Sequence, residues 1–265
     1  MLSHPGRRAA LRAAGLGAVG AAVAGLATAC GSDRPSAAPA AQPPPPGPAQ
    51  PARPAAAGAP RRFAGRPVEI GHGPRDRPRV ALTFHGNGDP ATGRAVLAEA
   101  ERVGARVTVL AIGGWLDAHP DMARRILDGG HELGNHTQRH LAINDMAEAE
   151  AYAEITGCAQ RLKRLTGSIG TWFRPSQTRY ATPLVQKLAQ RAGYPHVLSY
   201  DVDSLDFTSP GAAAVIRNVT GTIHAGSVVS LHFGYADTVA AMPPLLEELA
   251  RRKLSAVTTT ELLTP

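Results

Sequence analysis

Cysteine is scarce, with Cys30 and Cys158 the only two in 265 residues. A disulfide framework therefore does not hold this chain together. Aromatic residues make up 5% and charged residues 18%, but the hydrophobic share of 43% is near the globular norm and excludes a wholly disordered chain. Acidic residues are nearly missing from the first part. Residues 1–79 hold 3 acidic against 11 basic side chains, a net of +8, and residues 80–265 hold 18 acidic against 17 basic, a net of −1. The basic character belongs to the leader, which argues against a nucleic-acid-binding body. No nucleotide-binding glycine fingerprint follows the first strand candidate, because Gly86-Asn87-Gly88 lacks the spacing and the acidic residue further on.

A strongly apolar run is missing as well. Residues 13–29 are uncharged but rich in Gly and Ala, too weakly apolar for a membrane span of ~20 residues. With Arg7, Arg8 and Arg12 before it, this stretch reads as an export signal over residues 1–30. Arg7-Arg8-Ala9-Ala10-Leu11-Arg12 resembles a twin-arginine signal. Ala27-Thr28-Ala29-Cys30 resembles a lipoprotein processing site, with Leu26 one position early. The expectation is an exported chain anchored to the cell membrane by lipidated Cys30, the alternatives being a signal cut near Ala29 or an uncleaved anchor. Cys158 then has no intrachain partner and reads as a buried, inert thiol.

Residues 31–66 carry 10 Pro and 11 Ala in 36 positions. Proline removes backbone donors and fixes φ, so this segment reads as a semi-rigid linker reaching on the order of 100 Å. The folded domain is expected over 67–265. There β-rich runs alternate with amphipathic stretches. Strand candidates are Val80–Phe84, Val107–Ile112, Glu132–Gly134, Thr171–Arg174, Val197–Val202 and Val228–Phe233. Helix candidates are 91–104, 120–128, 145–165, 183–192, 211–224 and 243–253, with Asn144 or Asp145 capping the third and Gly167 ending it. This alternation predicts an α/β fold with a parallel sheet, as a closed or partly open (β/α) barrel first and an open doubly wound sheet second. Either places the active face at the carboxyl ends of the strands.

The chemistry collects there. His85 follows the first strand, His136 and His140 the third, Arg174 the fourth, Asp201, Asp203 and Asp206 the fifth, and His232 ends the sixth. A spacing of four puts His136 and His140 on one face of a helical turn, within reach of one metal. Two histidines four apart also arise by chance, and Thr137 stands where a zincin would have its Glu. For His232 the bland reading is a buried strand-end histidine. For Asp206 it is a helix cap, and Asp201 and Asp203 read as solvated or capping.

The ordered set Thr83-Phe84-His85-Gly86-Asn87-Gly88-Asp89-Pro90, Gly130-His131-Glu132-Leu133-Gly134-Asn135-His136-Thr137-Gln138-Arg139-His140, Phe173-Arg174-Pro175, Asp201-Val202-Asp203-Ser204-Leu205-Asp206-Phe207 and Ser230-Leu231-His232 resembles the successive motifs of polysaccharide deacetylases with a NodB-homology domain. The resemblance implies a distorted (β/α) barrel over about 78–263 and a hydrolase that removes acetyl groups from peptidoglycan, chitin-like or related glycans with a divalent metal, usually zinc. It implies His136 and His140 as metal ligands, a backbone N–H near Gln177 as oxyanion donor and His232 as general acid. Asp206 would orient His232, and Arg174 would pair with an acidic group.

The first motif departs from the pattern. The family usually has Thr-Phe-Asp-Asp-Gly, whose first Asp is the base and second a metal ligand, whereas here those positions are His85 and Gly86. Asp89 is then the expected metal-site carboxylate and His85 a catalytic or outer residue. Ser176-Gln177 also replaces the usual Pro-Tyr. The alternative is a deacetylase-like module that binds glycan or metal without turnover. A purely scaffolding lipoprotein is the third reading.

Overall fold

The structure, a computed structural model, describes residues 56–265. The export signal, Cys30 and the linker up to residue 55 lie outside the described residues. In chain order the elements are β1 (Glu69–Ile70), β2 (Arg79–Gly86), α1 (Pro90–Arg102), β3 (Thr108–Ala111), α2 (Gly113–Ala118), α3 (Asp121–Asp128), β4 (Glu132–Asn135), α4 (Glu148–Thr166), α5 (Pro183–Arg191), β5 (Val197–Leu198), β6 (Val202–Asp203), α6 (Ala212–Thr220), β7 (Val228–His232), α7 (Ala236–Arg251), β8 (Ser255–Ala256) and α8 (Thr259–Leu263).

The strands run parallel in the order β4-β3-β2-β7-β6, with β8 pairing the start of β2. Beyond β4 the sheet continues by single-residue parallel bridges, Asn135 to Phe173 and Phe173 to Val197, and β5 pairs β1. The expected strand at 171–174 is reduced to that one residue, and the one at 197–202 is cut into β5 and β6. The result is a distorted, partly open α/β barrel.

Strand parity divides the core. Val80, Leu82 and Phe84 of β2 pack with Val109, Ala111, Val229 and Leu231 under the helices. Ala81 turns inward with Ile70, Leu110, Trp172, Leu198 and Val228, drawn from strands around the curve. A strand covered on both sides reads as a continuous apolar run, which is why β2 was visible from Val80 to Phe84. Residue 85 shares the inward parity of 81 and 83, and pairing sets His85 beside His232 and Gly86 beside Ala111.

Helix ends follow local chemistry where the cap is in the sequence. Asp89 caps α1, its side chain accepting from the Ala91 N–H at 2.8 Å. Gly167 ends α4 with a left-handed φ of 82°. Neither Asn144 nor Asp145 caps α4: the helix starts at Glu148, and Asn144 instead accepts from the Thr182 N–H and donates to the Tyr180 carbonyl. α7 starts seven residues before the expected 243 and carries Pro243 and Pro244 inside it. Its buried face of Thr238, Ala241, Met242, Leu245, Leu246 and Leu249 keeps helical spacing across the prolines, and tertiary burial supplies what the lost backbone bonds do not.

The packed chain begins ahead of residue 67. Ala57 and Phe63 are buried, the Phe63 ring stacks on Trp172 at 5.3 Å, and the Phe63 N–H donates to His196 Nε2 at 2.9 Å. No helix among the described residues is long and apolar enough to cross a membrane. Cys158 is buried with no disulfide partner among the described residues, and burial pushes its thiol up to about 12.

Candidate active site

The carboxyl ends of β2, β4 and β7 and the loops after Phe173 and β6 surround a cleft of about 400 Å³. His85, His140, Gln177, Arg179, Asp203 and His232 line it. Ring centroids are 4.3 Å apart for His85–His136, 4.8 Å for His136–His140 and 4.3 Å for His85–His232. Residues from three separate strands thus converge on one place.

His232 and Asp206 form a dyad. His232 Nδ1 lies 2.7 Å from Asp206 Oδ1, and the carboxylate also accepts from the His232 N–H at 2.8 Å and from Thr238 Oγ1 at 2.6 Å. Asp206 is fully buried, so these donors replace its water. A carboxylate on Nδ1 fixes the tautomer and leaves Nε2 as the basic nitrogen. The carboxylate is therefore spent on His232 and Thr238 rather than on a helix cap.

Arg174 is fully buried and has no carboxylate of the described residues within salt-bridge distance, contrary to the acidic partner expected from sequence. Its Nε donates to the Leu198 carbonyl at 3.1 Å, Nη2 to the Ser199 carbonyl at 3.2 Å, and Nη1 to His85 Nε2 at 3.1 Å. Burial lowers its pKa to about 10. Because guanidinium only donates, the His85 Nε2 lone pair is occupied and its proton sits on Nδ1. Burial holds His85 well below the ordinary imidazole value, and the neighbouring His136, His232 and Arg174 push the same way. In this arrangement His85 is a neutral hydrogen-bond donor and a poor base.

The His136–His140 segment is a loop and not the helical turn expected from the spacing of four. Thr137 and His140 have φ of 69° and 59°. Tertiary partners hold these left-handed residues. The Gly113 and Gly114 N–H groups donate to the Thr137 and Gln138 carbonyls, Asn135 Oδ1 accepts from the Thr137 N–H, and buried Glu154 accepts from the Arg139 N–H at 2.7 Å and from its Nε at 2.6 Å.

A model of the family described as "Polysaccharide deacetylase" matches residues 72–197, which takes in His85, His136, His140, Arg174 and Gln177. The peptidoglycan-N-acetylglucosamine deacetylase of Bacillus cereus is 31% identical over 194 residues, covering 72% of this chain and 90% of that protein. The chain belongs to the polysaccharide deacetylase family. A chitooligosaccharide deacetylase from Bradyrhizobium is 28% identical over 196 residues, 65% of this chain and 85% of its own. The crystal structure of a carbohydrate esterase family 4 pseudoenzyme from Bacillus anthracis shares the fold, with a TM-score of 0.71 at 22% identity over 75% of this chain and 70% of that one.

For a polysaccharide deacetylase, the metal site here is incomplete. His136 offers one position: its Nδ1 donates to the Arg174 carbonyl at 3.1 Å, and its Nε2 is buried with no hydrogen-bond partner among the described residues. A backbone carbonyl on one ring nitrogen with the other left bare is how metal-binding imidazoles are oriented. Burial holds His136 well below its ordinary value and His140 below it, so both rings are neutral near pH ~7. A catalytic zinc needs three protein ligands. Among the described residues no group of three His, Cys, Asp or Glu side chains is set to hold a metal ion. Asp89, the expected carboxylate, is exposed and capping α1. Gly86 has no side chain, and a Cβ there would meet Val109 Cγ1 at 3.0 Å and the Ala111 Cα at 3.1 Å.

Gln177 is exposed at the rim of this deacetylase cleft with φ of 56°, its side chain donating to the His140 carbonyl at 2.7 Å. Cys30 lies outside the described residues. Sequence reasoning missed Thr238, Arg179 and Tyr200. Nothing local marks them, since each reaches the site through loop or helix packing. Phe207, half-exposed and 5.6 Å from the His232 ring, could have been found as an aromatic inside the fourth motif.

Proposed function

We propose that this chain is a hydrolase that removes acetyl groups from a cell-envelope glycan of the peptidoglycan or chitin-like kind. The observation that carries it is the His232–Asp206 dyad, whose Nε2 side opens on the cleft. With Nδ1–H held by Asp206, Nε2 takes a proton from water as the water oxygen bonds to the acetyl carbon. The imidazolium then returns that proton to the leaving nitrogen or oxygen as the bond to the acetyl carbon breaks, giving acetate and the free sugar amine or hydroxyl. One imidazole serves as base and then acid, which a chain without a carboxylate at position 85 requires. Donors for the transient oxyanion come from His85, whose proton sits on Nδ1, and from the backbone near Gln177. A divalent cation such as Zn²⁺ supplies carbonyl polarisation in such chemistry. His136 and His140 are the side chains here that would approach it, but two ligands do not complete the site. The arginine-led leader and Cys30 support an exported chain anchored to the membrane by a lipid.

The test is acetate released from acetylated peptidoglycan fragments and chitooligosaccharides by the purified protein. Release is expected, and His232→Gln should lower it by about 10²-fold or more. A second reading, a glycan-binding module without turnover, draws on Arg174 facing an imidazole where catalysis by the family pattern needs a carboxylate. Binding without acetate selects that reading, and neither binding nor release defeats both.

A further inference from the structure

The geometry points to Arg179 as the reader of an oxyanion on the substrate, so that the preferred ligand is an acetylated glycan bearing a carboxylate or phosphate beside the acetylated sugar; this rests on the glycan-binding reading of the cleft. Arg179 lines the cleft. Its guanidinium carbon lies 5.1 Å from the ring centroid of Tyr180 and 5.1 Å from that of Tyr200, and its Nε donates to the Tyr200 carbonyl at 3.1 Å. Its own carbonyl accepts from Ser199 Oγ at 2.7 Å. The backbone is thus held at its carbonyl and the side chain at Nε, and the rings limit its rotamers. An arginine already ordered loses less entropy per bond formed to a ligand.

Its terminal amino groups make no hydrogen bond to a described residue, and no described carboxylate lies within 4.0 Å of it. That sets it apart from Arg75, Arg94, Arg125 and Arg191, each paired with an acid. A planar fork of free N–H groups matches two oxygens of one carboxylate or phosphate. A neutral acetylated oligosaccharide has no group of that kind. Behind the Tyr200 ring, buried Arg174 adds a second positive charge at 5.4 Å from its centroid. Asp203 is the opposing charge on the cleft wall, with Oδ1 accepting the Leu205 N–H at 3.1 Å. Asp206 is buried against His232. Arg179 and Asp203 are thus the one cation and the one carboxylate on the cleft wall, Arg174 and Asp206 both being buried, and Asp203 is already engaged by the Leu205 N–H.

The experiment titrates the full-length protein with three probes of matched length. They are chitotetraose, a muropeptide-free tetrasaccharide with free lactyl carboxylates, and an acetylated oligosaccharide carrying a phosphodiester. Binding is read by calorimetry, so turnover is not needed. One charged probe is expected to bind about tenfold tighter than chitotetraose, the difference shrinking with added salt. The charged probe that binds tighter names the anion. Arg179→Gln should remove the preference and Arg179→Lys should retain part of it, which a merely structural role would not do. Equal affinity of the wild type for all three probes, or a preference that survives in Arg179→Gln, overturns the inference. Acetate release without a preference for charge would leave the hydrolase standing and this inference fallen, and a preference without acetate would do the reverse.

Discussion

At position 85 an imidazole replaces the carboxylate implied by the family motif, and its effect reaches Arg174. The guanidinium stays buried and charged with two carbonyls and a neutral ring as partners, a weaker set than one including a carboxylate. The same contact takes the His85 lone pair, so proton transfer is left to His232. His85→Asp should give Arg174 an anionic partner and the cleft a second base. Acetate release from an acetylated glycan is expected to rise roughly tenfold or more, measured at equal protein concentration. An unchanged rate would mean that His232 alone limits the chemistry.

Among the elements, β2 decides what the site contains. Its period of two turns residue 85 toward the inner side with Ala81 and Thr83 and residue 86 the other way, against β3. The β2–β3 pair is closed so tightly at Gly86 that even a methyl group must displace Val109 or Ala111. Gly86→Ala should therefore destabilise the fold by roughly 1–3 kcal/mol, read from chemical unfolding, with the loss arising from overpacking. For the same reason a carboxylate returned to position 86 alone should not create a metal site. The loop after β4 shows the complementary case. Its two histidines come together because α2 and α4 hold a backbone that a spacing of four does not by itself specify.

Over the whole molecule, burial of imidazoles sets the response to acid. His85, His131, His136, His140 and His196 all have lowered pKa values, with burial the leading cause. In the unfolded chain they accept protons near pH ~6.5. Below that pH the unfolded state binds more protons, so stability is complete above it and is lost as pH falls. Glu69 and Glu132, raised by burial, act in the opposite sense and favour the folded state toward pH ~4.5. Five imidazoles against two carboxylates give the sign. The urea midpoint should fall between about pH 7.5 and about pH 5.5. A flat or rising midpoint would contradict these buried neutral rings.

The sequence by itself determined the alternation of strands and helices, because hydrophobic periodicity is a local property that burial on one or two faces imposes on successive residues. It also placed His85, His136, His140, Arg174, Asp206 and His232 at strand ends, where a parallel sheet gathers them. Only the tertiary structure decided which atoms meet: that Arg174 takes the lone pair of His85, that Asp89 caps a helix, that Asp206 serves His232 and Thr238, and that the Arg179 guanidinium sits against Tyr180 and Tyr200. These are contacts between segments far apart in the chain. Their partners are chosen by packing and by the need to satisfy buried polar groups, neither of which is expressed in the spacing of neighbouring residues.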